Sequence, residues 1–384
     1  MRFEFATASR IIFGPSVADE VAPAAAKMGT CVLVLTGRST DRVARILEQL
    51  SSCGLGYVTF SVPHEPTTSL VKEALELARS AAVEIVISIG GGSVIDTGKA
   101  VAAMLTNSGA LEGYLEVVGA GKPIVNAPAP HIAVPTTAGT GTEVTRNAVI
   151  GVPERRVKVS VRSPMMIPTI AIVDPLLTHT MPPLLTAATG LDALTQLIEP
   201  FVSSSSNPLA DAVCREGLAR GARSLLAAWQ DGNNAAARED MALASLFGGL
   251  ALANARLGAV HGLAGSIGGM TCVPHGLVCG KLLPHVMRAN LRALDSRDPA
   301  SPALRRYDEL AQILSADSSA HAAAGVAWIE TLCTQFKLPS LASFGLAQAQ
   351  IPAVVAQSQK SSSMKGNPIA LTDEELTDIL ERAL

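Results

Sequence analysis

Three side chains in the second half of this chain, Asp192, His261 and His275, are of types that could ligate a metal. Asp192 stands in Gly190-Leu191-Asp192-Ala193-Leu194-Thr195-Gln196, inside a helical stretch that begins near Leu184. A carboxylate among alanines and leucines needs a buried partner, because an unpaired charge there is costly. His261 and His275 follow in the small-residue stretches GAVHGLAG and CVPHGLVC. Asp192, His261 and His275 would suffice for a three-ligand zinc site with an open fourth position. A single histidine on an apolar stretch is more often a hydrogen-bonded core residue, and the residues alone leave that reading open. Gln196 lies four positions after Asp192 and so shares its helix face. Its amide oxygen is a neutral and weaker donor than an imidazole.

A second group of residues suits phosphate. Gly90-Gly91-Gly92-Ser93 follows the strand-like run EIVISI and precedes a helix carrying Asp96 and Lys99. Glycines let backbone amides approach a pyrophosphate, and the helix N-terminus adds partial positive charge. The spacing differs from the GxGxxG dinucleotide fingerprint, and a tight turn would use glycines equally well. The run Pro135-Thr136-Thr137-Ala138-Gly139-Thr140-Gly141-Thr142-Glu143-Val144-Thr145 adds hydroxyl donors on a backbone able to bend close to a ligand. Two such loops, each after a strand, favour nucleotide binding over plain turns.

The elements that must position these residues fall into two textures. Strand-like runs at 31–35, 57–60, 84–89, 132–135, 144–150, 157–161 and 170–173 alternate with helical stretches at 41–50 and after Thr68, which reads as a cap. An opening strand is expected before Gly14-Pro15. That alternation predicts βαβ units and a mostly parallel sheet. After Asp174-Pro175 the chain turns Ala- and Leu-rich and helical periodicity dominates to Leu384, with Ser203–Pro208 an inter-helix loop. The expected fold is an α/β N-terminal domain with a parallel sheet over 1–180 and an all-α C-terminal domain over 181–384. The boundary falls near Thr178–Pro183.

Composition bounds the function. With 48% apolar and 16% charged residues the chain buries an extensive core, and a net charge of −3 offers no field for nucleic acid. No run of ~18 apolar residues suggests a membrane span, and MRFEFATASRIIFG lacks a signal peptide's pattern. The six cysteines, at 31, 53, 214, 272, 279 and 333, form no CxxC pair. They read as small buried hydrophobes kept reduced in the cytoplasm.

The order of motifs resembles the iron-containing (group III) alcohol dehydrogenases, of the dehydroquinate synthase-like superfamily. It runs GGGS-x-x-D-x-x-K, PTTAGTGTEVT, GLDAL, an isolated VHG and a PHG, across essentially the whole chain. The resemblance implies that 1–180 is the dinucleotide-binding domain and 181–384 the metal and substrate domain, with a cleft holding cofactor and metal, and a homodimer. It places Gly91, Gly92 and Ser93 on the pyrophosphate. Asp96, Thr136, Thr137, Thr140 and Thr142 would border the adenosine and nicotinamide portions, with Lys158 near the cofactor. Asp192, His261 and His275 become the catalytic metal residues, with Gln196 where the family carries a histidine ligand. Iron(II), low in the affinity order, should suffer most from that exchange, and a three-ligand zinc site is the other expectation. Gly265 replaces a further histidine near the nicotinamide in many relatives, suggesting a roomier pocket.

Cofactor choice follows from charge. The segment after the first long strand, Thr36-Gly37-Arg38-Ser39-Thr40, has no carboxylate to repel a 2′-phosphate, and Gly37, Arg38 and Ser39 could receive one. NADP is therefore favoured over NAD. The function implied is metal-assisted hydride transfer between a nicotinamide and a small alcohol, aldehyde or ketone. The alternatives are a nucleotide-binding homologue with a lost metal site and a dehydroquinate synthase-like lyase; the sparse Lys and Arg around the metal residues argue against the lyase. His285 reads as structural, and His64, His131, His179 and His321 have no assigned role. The polar loop Ser361–Pro368 reads as surface, with Lys365 or Asn367 as possible substrate contacts.

Overall fold

In the computed structural model, residues 2–38, 43–155, 157–271 and 273–384 are described. The chain resolves into two compact units. The first holds Ala6–Thr137 and Gly141–Thr180. It carries β1 (Arg10–Phe13), α1 (Val21–Ala25), β2 (Cys31–Thr36), α2 (Ala44–Ser52), β3 (Gly56–Ser61), α3 (Thr68–Ser80), β4 (Ile85–Gly90), α4 (Gly92–Thr106), β5 (His131–Pro135), β6 (Asn147–Val152), β7 (Val157–Arg162) and β8 (Ile170–Val173).

Six of these strands form one sheet in the order β1-β8-β5-β4-β2-β3, every pair parallel. A parallel sheet is covered on both faces, so its strands read as unbroken apolar runs. Leu33, Leu35 and Val86 turn to one core with residues of α3 and α4. Val32, Val34, Ile85 and Ile87 turn to the other with residues of α1 and α2. Two expectations shift. The runs at 144–150 and 157–161 leave the main sheet and pair with each other as the antiparallel β6–β7 ribbon. The cap of α3 is Thr67, whose hydroxyl accepts from the Leu70 amide at 3.2 Å; Thr68 is the first helical residue.

The second unit is helical and holds Met181–Leu384 together with Ala138–Thr140. Its helices are α5 (Pro183–Val202), α6 (Pro208–Gln230), α7 (Ala235–Ala255), α8 (Ala259–Met270), α9 (His275–Arg297), α10 (Pro302–Ser315), α11 (Ala322–Phe336), α12 (Ile351–Ser358) and α13 (Asp373–Ala383). Helix α5 is buried almost all round from Thr186 to Val202 and packs against α6, α7 and α9. A helix apolar on every side belongs in the middle of a bundle. Besides threonines, its polar residues Asp192, Gln196 and Glu199 are therefore buried at spacings of four and three, which keeps them near one face. Among the described residues no single helix is long and apolar enough to cross a membrane.

Candidate functional site

In the helical unit the structure brings Asp192, His261 and His275 together. Asp192 Oδ1 lies 3.3 Å from His261 Nε2 and 3.8 Å from His275 Nε2. Asp192 comes from the buried middle of α5, His261 from the first turn of α8, and His275 opens α9. The approach of α9 to α5 depends on Gly276. A Cβ built there would sit 2.3 Å from the Ala188 carbonyl oxygen. Any side chain would push the helix, and His275 with it, away from Asp192.

Helix α8 is aimed by two buried acceptors. Asn367 Oδ1 takes the Ala259 amide at 3.1 Å, and Glu199 Oε1 takes the Val260 amide at 2.7 Å. Both satisfy donors that a helix N-terminus leaves unpaired. Glu199 Oε2 also lies 2.6 Å from His261 Nδ1. With Nδ1 donating to the carboxylate, Nε2 faces Asp192 and, once its proton is displaced, is free to ligate a metal, as a carboxylate orients a metal-ligating histidine. The side chain of Asn367 thus points inward, bonded also to Asn290 Oδ1 and the Ile369 carbonyl, whereas Lys365 is exposed.

Cys279 completes the cluster. It lies one turn after His275 on α9, and its Sγ is 3.6 Å from His275 Nε2 and 3.9 Å from His261 Nε2. One donor atom from each of Asp192, His261, His275 and Cys279 falls within 4.8 Å of all the others. Neither Glu199 nor Cys279 was singled out by sequence reasoning. Their signals were positional: Glu199 is seven residues after Asp192, two helical turns on, and Cys279 is four after His275.

The electrostatics favour positive charge at the centre. Burial opposes charging either imidazole, yet Cys279 and Glu199 raise His261 well above its usual range, aided by Asp192. Cys279 and Asp192 likewise raise His275 to about 9 against burial. Burial would also raise Asp192, but His275 and His261 hold it below the usual carboxylate range. Asp192 Oδ1 and Gln196 Oε1 are buried and, among the described residues, have no hydrogen-bond partner. Buried oxygens of that kind are rare unless an ion or water completes them. The donor set therefore fits a divalent cation, whose binding would displace the imidazole protons. Gln196 turns its amide nitrogen to the Gly139 carbonyl at 3.0 Å. A Cβ at Gly265 would meet nothing within 4 Å among the described residues, so that face of α8 is open.

In the α/β unit, Gly91 caps α4 with extended backbone and, among the described residues, no side-chain hydrogen bond at the cap. Gly92 and Ser93 open the helix, where first-turn amides have no intrahelical partner. Gly91 also meets the second loop closely, since a Cβ there would lie 3.3 Å from the Thr137 side chain. Thr136 is buried and its amide donates to the Gly90 carbonyl at 2.9 Å; Thr140 is half-buried.

Asp96 and Thr142 face inward, bonded to the protein. The Thr142 hydroxyl donates to Asp96 Oδ1 at 2.6 Å and accepts from the buried Lys99 ammonium at 2.7 Å. Lys99 also donates to Thr145 Oγ1 and the Asn147 carbonyl, and Asp96 Oδ2 accepts the Val149 amide. Burial pulls Lys99 down to about 8 and pushes the nearby Glu143 up to about 7. Lys158 on β7 pairs with Glu65. Gly37 ends the β2 segment with nothing within 4 Å of a built Cβ among the described residues, and the exposed Arg38 donates through Nε to the Pro63 carbonyl at 2.8 Å. Ser39 and Thr40 lie outside the described residues. His131 is buried against the Ser88 hydroxyl at 2.9 Å, and burial lowers it to about 3.

Comparison with known proteins gives a consistent answer. The profile of "Iron-containing alcohol dehydrogenase" matches residues 8–175, and that of "Fe-containing alcohol dehydrogenase family, C-terminal" matches residues 186–384. The chain is 35% identical to the 1,3-propanediol dehydrogenase of Citrobacter freundii over 345 residues, covering 89% of this chain and 87% of that protein. A crystal structure of a 1,3-propanediol oxidoreductase superimposes with a TM-score of 0.92 at 32% identity, covering all of both chains. The alcohol dehydrogenase from Oenococcus oeni does so with 0.91 at 32% identity, again over all of both chains.

Proposed function

Because the chain belongs to the iron-containing alcohol dehydrogenase family, we propose that it interconverts a small alcohol and its aldehyde or ketone with NADP(H) or NAD(H), using a divalent cation held by Asp192, His261 and His275 with Gln196 beside them. The chain is an oxidoreductase, and the relatives named above act in that class. Neither a lyase nor a homologue without chemistry is favoured. The observation that carries the reading is the buried Asp192 Oδ1, without a hydrogen-bond partner among the described residues, facing two imidazole nitrogens at 3.3 and 3.8 Å. When bound, the cation supplies Lewis acidity toward the substrate oxygen.

The chain's own residues do the rest. Asp192 brings negative charge to the site, and Glu199 fixes the tautomer and tilt of His261. Leu191, Leu194 and Leu197 are fully buried and seat α5, with its Asp192, against the neighbouring helices. The amides at Gly91, Gly92 and Ser93 and the hydroxyls at Thr136, Thr137 and Thr140 receive the dinucleotide. Asp96, Thr142 and Lys99 hold that second loop in shape from beneath. Lys158 reaches the cofactor by exchanging its Glu65 partner. The open space at Gly265 admits a substrate longer than ethanol, in line with the diol of the relative's name. The carboxylate-free Gly37-Arg38 segment favours NADP. A cytoplasmic homodimer is part of the same reading, as are a dinucleotide domain over 1–180 and a metal and substrate domain over 181–384.

Elemental analysis of the purified protein beside its Gln196→His variant tests the metal. Stoichiometric divalent metal in the unaltered protein, with chelator-sensitive oxidation of NADPH by small aldehydes, is the expected result. Metal held only by the variant would end the Lewis-acid reading.

A further inference from the structure

The cation site has a ligand deficit and a candidate to fill it. Gln196 offers a neutral amide oxygen, and its nitrogen is already committed to the Gly139 carbonyl. Cys279 Sγ stands 3.6 Å from His275 Nε2 and 3.9 Å from His261 Nε2, which are themselves 3.8 and 3.3 Å from Asp192 Oδ1. In a tetrahedral zinc site the bonds are about 2.0–2.1 Å to nitrogen and oxygen and about 2.3 Å to sulfur. Edges of such a tetrahedron run about 3.3 Å between nitrogen and oxygen and about 3.5 Å between sulfur and nitrogen. Four of the six edges among these donor atoms stand at those separations or up to about half an ångström wider, and all six lie within 4.8 Å.

From this geometry we infer that Cys279 is a fourth metal ligand, so that the site is Asp-His-His-Cys and selects zinc over iron(II). The inference rests on the proposal that a divalent cation sits among Asp192, His261 and His275. Three features support it. The fourth donor comes from the same helix face as His275, and α9 is anchored against α5 by Gly276. A thiolate and a carboxylate together neutralise a divalent ion, whereas a glutamine in the fourth place leaves one net positive charge in a buried pocket. Thiolate is also the softer donor, and soft ligation favours zinc over iron(II), which ranks below zinc for sites of this kind. Substrate oxygen would then enter as a fifth ligand, an expansion zinc accommodates.

The experiment uses the full chain loaded with cobalt(II) or zinc(II) after chelation. Cobalt(II) bound through a thiolate shows a near-ultraviolet sulfur-to-cobalt charge-transfer band beside its visible ligand-field bands. Wild type should show both. Cys279→Ser should keep the visible bands and lose the charge-transfer band, and its zinc affinity by competition should fall at least the ~10–100-fold that follows loss of a supporting residue. If the serine variant binds no cobalt, alkylation of Cys279 in wild type decides, read by peptide mass spectrometry. Protection by zinc supports the assignment, and an unchanged rate overturns it. Visible bands without the charge-transfer band in wild type would remove Cys279 from the ligand set and leave the rest standing. No binding of either ion by wild type would instead bring down the metal reading itself.

Discussion

Glu199 reaches His261 and the backbone of the same helix at once: one carboxylate oxygen lies 2.6 Å from His261 Nδ1, the other 2.7 Å from the Val260 nitrogen. One residue of α5 thus holds the imidazole and, together with Asn367, the start of α8. A Glu199→Gln variant keeps an oxygen for Val260 but loses the charged acceptor for the ring. Its zinc affinity, measured by chelator competition, should drop about 10–100-fold with the melting temperature little changed. Unaltered affinity would mean that the ring needs no such orientation.

Arg38 sets the cofactor preference on the present reading. Its Nε is held by the Pro63 carbonyl, which leaves the outer guanidinium nitrogens for a 2′-phosphate. A hydrogen bond to a charged group contributes about 1.5–3 kcal/mol, and about 1.4 kcal/mol is tenfold. Arg38→Ala should therefore lower kcat/KM for NADPH by about 10–100-fold and leave NADH nearly untouched. Equal losses with both cofactors would remove Arg38 from that role.

The buried Glu143 makes stability depend on pH. Its ordinary value is 4.5 and burial raises it to about 7 in the folded chain. Between those values the folded state holds the proton that the unfolded state has released. Its stabilisation is complete below about 4.5 and lost as pH rises through about 7. Lys99 has the opposite shift, from 10.5 down to about 8. Stability on its account is lowest below about 8 and recovers as pH climbs toward 10.5. Glu143→Gln should hence flatten the decline in melting temperature between pH 5 and 8. One pK unit is about 1.4 kcal/mol, and each kcal/mol moves Tm by about 2–4 °C, so the two proteins should separate by roughly 3 °C or more. Parallel profiles would contradict the shift.

Asn367 is a framework residue, and its neighbour Lys365 is not. Truncating Asn367 leaves the Ala259 amide and Asn290 without their buried partner, which costs about 1–3 kcal/mol per orphaned group. Calorimetry on Asn367→Ala should show a Tm lowered by several degrees. Lys365→Ala, at an exposed position, should stay within about 0.5 kcal/mol of wild type. A stable Asn367→Ala protein with a raised KM would instead assign the side chain to substrate.

Much of this was legible in the residues, for physical reasons that also mark where legibility ended. Strands of a parallel sheet are buried on both faces, so runs such as Cys31–Thr36 and Ile85–Gly90 stand out by composition. Pairing direction leaves no such mark, and β6 and β7 therefore looked like further members of the main sheet. Asp192, His261 and His275 were visible because charge and imidazole are conspicuous among alanines and leucines. Cys279 was not, since a cysteine in an apolar stretch looks like any small buried residue until its helix partner is known. Glu199 was hidden for a related reason, being one more acid in a helix until the fold buries it. Asp96 and Thr142 are singled out by the resemblance alone, and no residue pattern foretells their bonds to each other and to Lys99.

The pairing of β1 with β8 joins Arg10 to Ile170 and Phe13 to Val173. β1 therefore waits for a strand synthesised 160 positions later before it has a neighbour. During translation the sheet can assemble from its middle outward, while β1 stays unpaired to the last. Once seated, that segment is a selvedge, covering a row of β8 amides and carbonyls that would otherwise be open to another chain. Substitutions in Arg10–Phe13 thus bear on the last seam of that sheet to close.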